Sequence, residues 1–398
     1  MEVERWTLAT GETAITGFTR LWKPWWLAFV FMAILPNVFP GFATGAATCL
    51  SFVIGDFDIK LAGIVALVAV GVFLTMSAVV YQAVERFQSA IIVGTVIWLV
   101  VAVFFGTEAR DWGDAVEGLE GFGTIPFGDD PEVSAAVIAG AIAFAGSGGC
   151  GNLAVSNWVR DKGMGMGHYI PRIVSPRGEQ EAVPATGTAF PMDERNLRRW
   201  KGWWKVANQE QAVTFWLIGT VGIVVLSVLA YTTVYPARDV GEGFDFIEVE
   251  GNALKDQVAP WFGTVFWLIG FFKLLSTMLG NFDYVSRITA DAEINVASTS
   301  DRWSESRIYA ATVWFLILVG IVLILTFTEQ PLVLLVISSA LSAIVMFIYS
   351  LLLIRMNRRS LPAPIRLTGL RLGVMWVAVA WFGFFSYKVI AEYGGQLF

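Results

Sequence analysis

The fold class this sequence predicts is an all-α polytopic membrane protein, and three observations carry that prediction. The chain of 398 residues is 56% apolar and only 15% charged, with 30 Phe and 17 Trp. Its mean hydropathy is +0.63, more apolar surface than a soluble domain of this size needs. The apolar residues gather into segments long enough to cross a bilayer, and the connections between them alternate between acidic and basic.

A hydrocarbon core of about 30 Å takes about 20 apolar residues per helix. By that measure we expect about nine transmembrane helices: Trp25–Ile54, Ile59–Tyr81, Ser89–Gly106, Val133–Trp158, Ala212–Tyr235, Trp261–Phe282, Ile308–Phe327, Leu332–Ile354 and Leu370–Ile390. They form one transmembrane domain over 1–398. The first carries Pro36-Asn37 and Pro40-Gly41 near its middle, where proline removes helix hydrogen bonds and kinks the span. Asn37 is expected to pair with the carbonyls set free there. Ser338, Ser339 and Ser342 in the eighth span read as helix-packing residues. Tryptophans near many span ends form the interfacial belt.

Charge sets the expected orientation. The connection Glu108–Glu132 holds eight acids against Arg110, and 236–260 is an acidic loop expected outside. The 159–205 connection carries nine Lys and Arg against five acids, and five arginines fall between 355 and 371 with no acid. Basic loops remain in the cytoplasm, so 159–205 and 355–371 face inward, with the N-terminus cytoplasmic and the C-terminus outside. A multi-pass protein of the cell inner (plasma) membrane is the expected location. Residues 1–24 have two readings, the cytoplasmic end of a helix followed by a loop, or an amphipathic interfacial segment.

The stretch Gly146-Ser147-Gly148-Gly149-Cys150-Gly151-Asn152 interrupts the fourth span. Each glycine disfavours a helix interior by about 1 kcal/mol relative to alanine, so a break is expected there. Non-helical backbone at membrane depth is tolerated where it is buried in protein or lines a cavity, and broken helices form the substrate sites of many secondary transporters. Backbone carbonyls near Gly146, the side chains of Ser147 and Asn152, the backbone of Gly149 and the sulfur of Cys150 are the candidate ligands for a substrate or cation. Cys150 also fits a small buried hydrophobe. Asn37, Asn157, Asp161, Lys273 and Thr277 are transport-path candidates. Arg160 and Asp161 mark either the membrane boundary or a gating ion pair. Lys273 lies well inside the sixth span, where an ionisable side chain is a functional hypothesis by default, although its stem is long enough to snorkel. No nucleophile–base arrangement or phosphate loop appears, so no enzymatic activity is expected. One His and two Cys argue against a zinc site, and no basic stripe suits nucleic acid.

Three stretches resemble the natural resistance-associated macrophage protein (Nramp) family of divalent-metal transporters, within the LeuT-type inverted-repeat fold. Arg5-Trp6-Thr7-Leu8-Ala9-Thr10-Gly11-Glu12 is similar to the end of the family's helix two, with its ATGK-like sequence. Gly146–Leu153 aligns with the unwound part of helix six, which usually reads like ATVMPHNL. Pro362–Tyr387 looks like the last helix of a divergent branch. The resemblance implies a fold lacking its first two helices, a divalent cation as cargo, and proton coupling. Asn152 and Leu153 match the family motif, and Gly146 falls where a backbone carbonyl binds metal. The metal-binding methionine falls at Gly149, the proline at Cys150 and the histidine at Gly151. Without the thioether, a harder cation such as magnesium joins manganese as expected cargo. The lipid bilayer, the cation and protons are the expected partners, with no permanently bound cofactor. An amino-acid or organic-solute carrier of the same fold is the alternative, marked by a half-helix N-terminus free for a carboxylate. A non-transporting membrane subunit is the third reading, and it requires a break that packs tightly and leaves no polar cavity.

Overall fold

The computed structural model describes residues 1–76, 80–121, 135–170, 187–235, 243–296, 304–326 and 331–397. The described residues form helices and turns with no strand, as an all-α membrane protein requires. Among the described residues eight helices are long and apolar enough to cross a bilayer, and their positions follow eight of the nine expected spans. The ninth, the fourth in order, is split into α8 (Ala135–Phe144) and α9 (Gly151–Asp161). Halves of 10 and 11 residues are each about 15 Å long, so only together do they match the bilayer. The start of this span and the acids Asp129, Asp130 and Glu132 lie outside the described residues.

The chain opens with α1 (Glu2–Thr10) and α2 (Ala14–Leu21). Every residue of α1 is buried, so this part of 1–24 packs into the bundle. Arg5 fixes it through Glu2 at 2.6 Å and the Ile365 carbonyl at 2.9 Å, and the Asn357 amide donates to the Glu2 carbonyl at 2.8 Å. The first span is bent as its prolines dictate, into α3 (Trp25–Ile34), a 3-10 turn over Leu35–Asn37, and α4 (Gly41–Ile54). Then follow α5 (Ile59–Met76), α6 (Val80–Gly106) and the short α7 (Ala109–Glu117) before the broken span.

Two connections expected as loops contain helix. Within 159–205, α10 (Glu194–Glu210) begins on Asp193, whose side chain accepts from the Asn196 backbone N–H at 2.8 Å. That residue is an N-cap signal, and the basic residues after it lie on a helix with Trp200 and Ala207 turned to the core. The helix passes through a π-helical segment, Gln211–Leu217, into α11 (Ile218–Thr233). Within 236–260, α12 (Asp245–Gln257) buries Glu250 and Leu254, while 236–242 lies outside the described residues.

The long helices α13 (Pro260–Val296), α14 (Glu305–Thr326), α15 (Pro331–Arg359) and α16 (Gly369–Leu397) complete the bundle. At 37 residues α13 is about 55 Å long, so its second half projects well beyond a 30 Å apolar layer. That projecting end lies on the side of the basic connections, where α2 and α9 pack against it.

Candidate functional site

The last helical bond of α8 runs from the Ala145 N–H to the Ala141 carbonyl at 2.9 Å. Beyond it Gly148 and Gly149 take φ of 64° and 44°, left-handed values that cost an L side chain about 1–2 kcal/mol. A Cβ at Gly149 would also stand 2.9 Å from the Ser342 hydroxyl, so backbone and α15 meet there without room for a side chain. The next helix starts at Gly151, and its cap residue, Cys150, provides no side-chain acceptor for the first N–H groups. The Gly151 and Leu153 N–H groups donate to the Gly148 and Cys150 carbonyls at 3.0 and 2.9 Å, and the helix dipole directs partial positive charge toward the gap.

Two cavities meet at this break. The larger, about 850 Å³, reaches from Ser147, Asn152 and Tyr349 to Lys162, Glu210 and Arg371, with the π-helical segment supplying Gln211, Thr214, Phe215 and Trp216. The smaller, about 390 Å³, is bounded by Gly146, Ser147 and Gly151 on one side and by Thr277, Asn281 and Tyr284 of α13 on the other. Asn37, Gln88 and Ser342 complete its polar lining, which contains no charged side chain. Ser147 and Trp158 border both cavities. Ser147 is exposed and donates to Asn152 Oδ1 at 3.0 Å, while the Asn152 amide donates to the Tyr349 hydroxyl at 2.9 Å.

The expected site residues therefore divide. Gly146, Ser147 and Asn152 border a cavity, as do Asn37 and Thr277. Gly149 and Cys150 border neither, and Cys150 is 2% exposed within the core, which suits a small buried hydrophobe better than a soft ligand. Asn37 donates to the Ala33 carbonyl at 2.8 Å, the expected repair of the kink, and to the Tyr284 hydroxyl at 2.7 Å. Thr277 donates to the Lys273 carbonyl, and Lys273 itself is half-buried with no ion pair among the described residues. The serines of α15 do pack helices. Ser338 donates to the Pro36 carbonyl, and Gly140 of α8 lies against Ser339.

Asp161 and Asn157 belong to something the sequence reading missed. Ten residues along α9 from the break, Arg160 and Asp161 enter a buried ionic cluster with α13 and α14. Arg287 Nε donates to both oxygens of Asp283, at 2.9 and 2.8 Å, and its Nη1 pairs with Asp161. Arg160 donates to Asp291 at 2.8 Å, to Asp161 at 3.3 Å and to Glu305 at 3.4 Å. The Tyr309 hydroxyl donates to Asp283 at 2.7 Å, and Thr13 of the α1–α2 turn donates to Asp291. All six charged side chains are at most 2% exposed. So Arg160 and Asp161 form part of a larger network and not a single ion pair. Asn157, one turn nearer the break, is fully buried, and both of its amide atoms lack a hydrogen-bond partner among the described residues. The missed signal was the four-residue spacing of Asp283, Arg287 and Asp291, which puts three charges on one face of a helix just past its apolar span.

Among the described residues no group of three or more His, Cys, Asp and Glu is placed to hold a metal ion. The chain matches no known protein-family model and no curated protein sequence. The Nramp resemblance therefore rests on its three stretches and on the position of the break.

Proposed function

We propose that this protein is a secondary transporter that carries a small polar cargo past the 145–150 break by alternating access. One observation carries the proposal: the broken helix separates two cavities that share Ser147, and its neutral oxygens face them. The cavities argue against a non-transporting subunit, whose break would pack without polar space. The π-helical segment beside the larger cavity adds support, because such bulges are frequent at functional sites.

For the cargo, the resemblance favours a divalent cation moved with protons across the plasma membrane. The oxygens of Ser147 and Asn152 suit a hard, hydrated ion such as magnesium better than a transition metal, since neither cavity is bordered by a thioether-bearing ligand from the break. In this reading the break contributes neutral oxygen ligands to the cation. A specific observation favours the second reading, an amino-acid or other organic-solute carrier. Among the described residues no charged side chain lines the smaller cavity, and the N-terminus of α9, which has no side-chain cap, borders it at Gly151, an arrangement that accepts a carboxylate.

The test is uptake into proteoliposomes of magnesium, manganese and a mixture of labelled amino acids, with and without an inward proton gradient. Cation uptake that rises with the gradient supports the first reading, and amino-acid uptake alone supports the second. No uptake of any of them contradicts the transport proposal.

A further inference from the structure

Two buried tyrosines stand at the break, one on each cavity. Tyr349 of α15 borders the larger cavity and Tyr284 of α13 the smaller. Their side chains are held in the same way. The Asn152 amide donates to Tyr349 at 2.9 Å, and the Asn37 amide donates to Tyr284 at 2.7 Å. In each pair the phenol is the acceptor, and no acceptor for either tyrosine's own O–H is found among the described residues. Both residues are mostly buried, at 7% and 6% exposure, with their remaining surface on the cavities. A buried donor left unmade is disfavoured by about 1–3 kcal/mol. Neither phenol lies in the ionic cluster, and the asparagine amides use each phenol oxygen as an acceptor without using its hydrogen.

We propose that Tyr284 and Tyr349 bind the cargo, one in each cavity, on either side of Ser147. The inference rests on the transport reading and adds the residues that recognise the cargo. A phenol both donates and accepts, so the chemistry it recognises is an oxygen on the outside of the cargo. That oxygen belongs either to a carboxylate, to which the free O–H donates, or to water held by a cation, which donates to the phenol oxygen. The asparagines position the phenols: Asn152 connects Tyr349 to Ser147 at the break, and Asn37 connects Tyr284 to the kinked first span.

The test compares the full chain with Y284F and Y349F, each of which keeps the ring and its packing. Uptake of magnesium, manganese and labelled alanine is measured in proteoliposomes, and binding of the same three probes is measured by calorimetry on purified protein. Loss of one hydrogen bond raises KM or Kd of the probe that is moved by about five- to tenfold in each variant, while loss of the asparagine's acceptor lowers the melting temperature by a few degrees and leaves the protein folded. The exposed Tyr231, changed to Phe, serves as the control and leaves both values as they were. A metal-selective effect identifies the hydration shell as the contact, and an alanine-selective effect identifies the carboxylate. Unchanged KM and Kd in both variants, with wild-type uptake intact, overturn this proposal alone. Binding that Y284F and Y349F weaken, without wild-type uptake of any probe, keeps the proposal and removes the transport reading. A wild-type protein that neither moves nor binds any of the three overturns both.

Discussion

Helix α9 begins in a neutral site and ends in a charged one, and the two ends are built on opposite principles. At Gly151 the surroundings are hydroxyls, amides and open cavity, with an uncapped helix end and phenol hydrogens left unused. At Arg160 and Asp161 six charged side chains are closed off from water and spend most of their hydrogen bonds on one another. Desolvating a charge is so unfavourable that a buried cluster persists only when its members satisfy each other. The charged end acts as a joint that ties α9, α13, α14 and the α1–α2 turn together, with Arg287 Nη2, Glu305 Oε2 and the Asn157 amide left without a partner among the described residues. The neutral end has capacity left over, which is what a transit site needs.

The largest effect that would break this contrast is at the joint. R287M strands Asp283 and Asp161 without their main partner, and removing one member of a buried ion pair destabilises by about 3–5 kcal/mol. We expect R287M to show a strongly lowered melting temperature or to fail to yield folded protein. A variant as stable as wild type would mean that the cluster is not structural. Next comes G149A, which forces alanine to a φ of 44° against Ser342 and should cost about 1–2 kcal/mol, read as a melting temperature a few degrees lower.

Glu250 sharpens the comparison from the opposite end of the bundle. It is a buried carboxylate of α12 with no arginine beside it, and burial alone pushes its pKa up from 4.5 to about 7. A carboxyl whose folded pKa exceeds its unfolded value favours folding below about pH 4.5, and that contribution is lost as pH rises toward about 7. Hydrogen exchange should therefore show α12 better protected at pH 5 than at pH 8, and E250Q should remove the difference. Equal protection at both pH values in wild type would rule out this ionisation as the cause. The smallest stability effect is expected for S147A, within about 0.5 kcal/mol because its hydroxyl is exposed. The same change should reduce transport. Stability without loss of transport would separate Ser147 from the site.

Much of the fold was readable because lipid imposes strict patterns. Length and apolarity located Trp25–Ile54 to the residue, and Pro36 and Pro40 foretold its kink. Four glycines in six residues located the break. What escaped were features that depend on partners distant in sequence. Asp283, Arg287 and Asp291 are not singled out by the sequence, because their burial depends on α9 and α14 reaching the same place. Tyr284 and Tyr349 are not singled out either, because their asparagine partners lie 247 and 197 residues away. The charge pattern of 159–205 was read as loop since hydropathy averages hide an amphipathic helix, although Asp193 marked its start.

The measurement that most directly tests the central claim is cysteine labelling at the break. Cys49 and Cys150, both buried, are changed to Ser and Ala, and Ser147 is changed to Cys in that background. The full chain is reconstituted in vesicles and treated with a charged, membrane-impermeant thiol reagent. We predict that S147C reacts with reagent supplied from the side of the 159–205 and 355–371 connections, and that the transported cargo slows the reaction. An unreactive S147C from either side would contradict the account, because the break would then be sealed protein packing and not a site on a path.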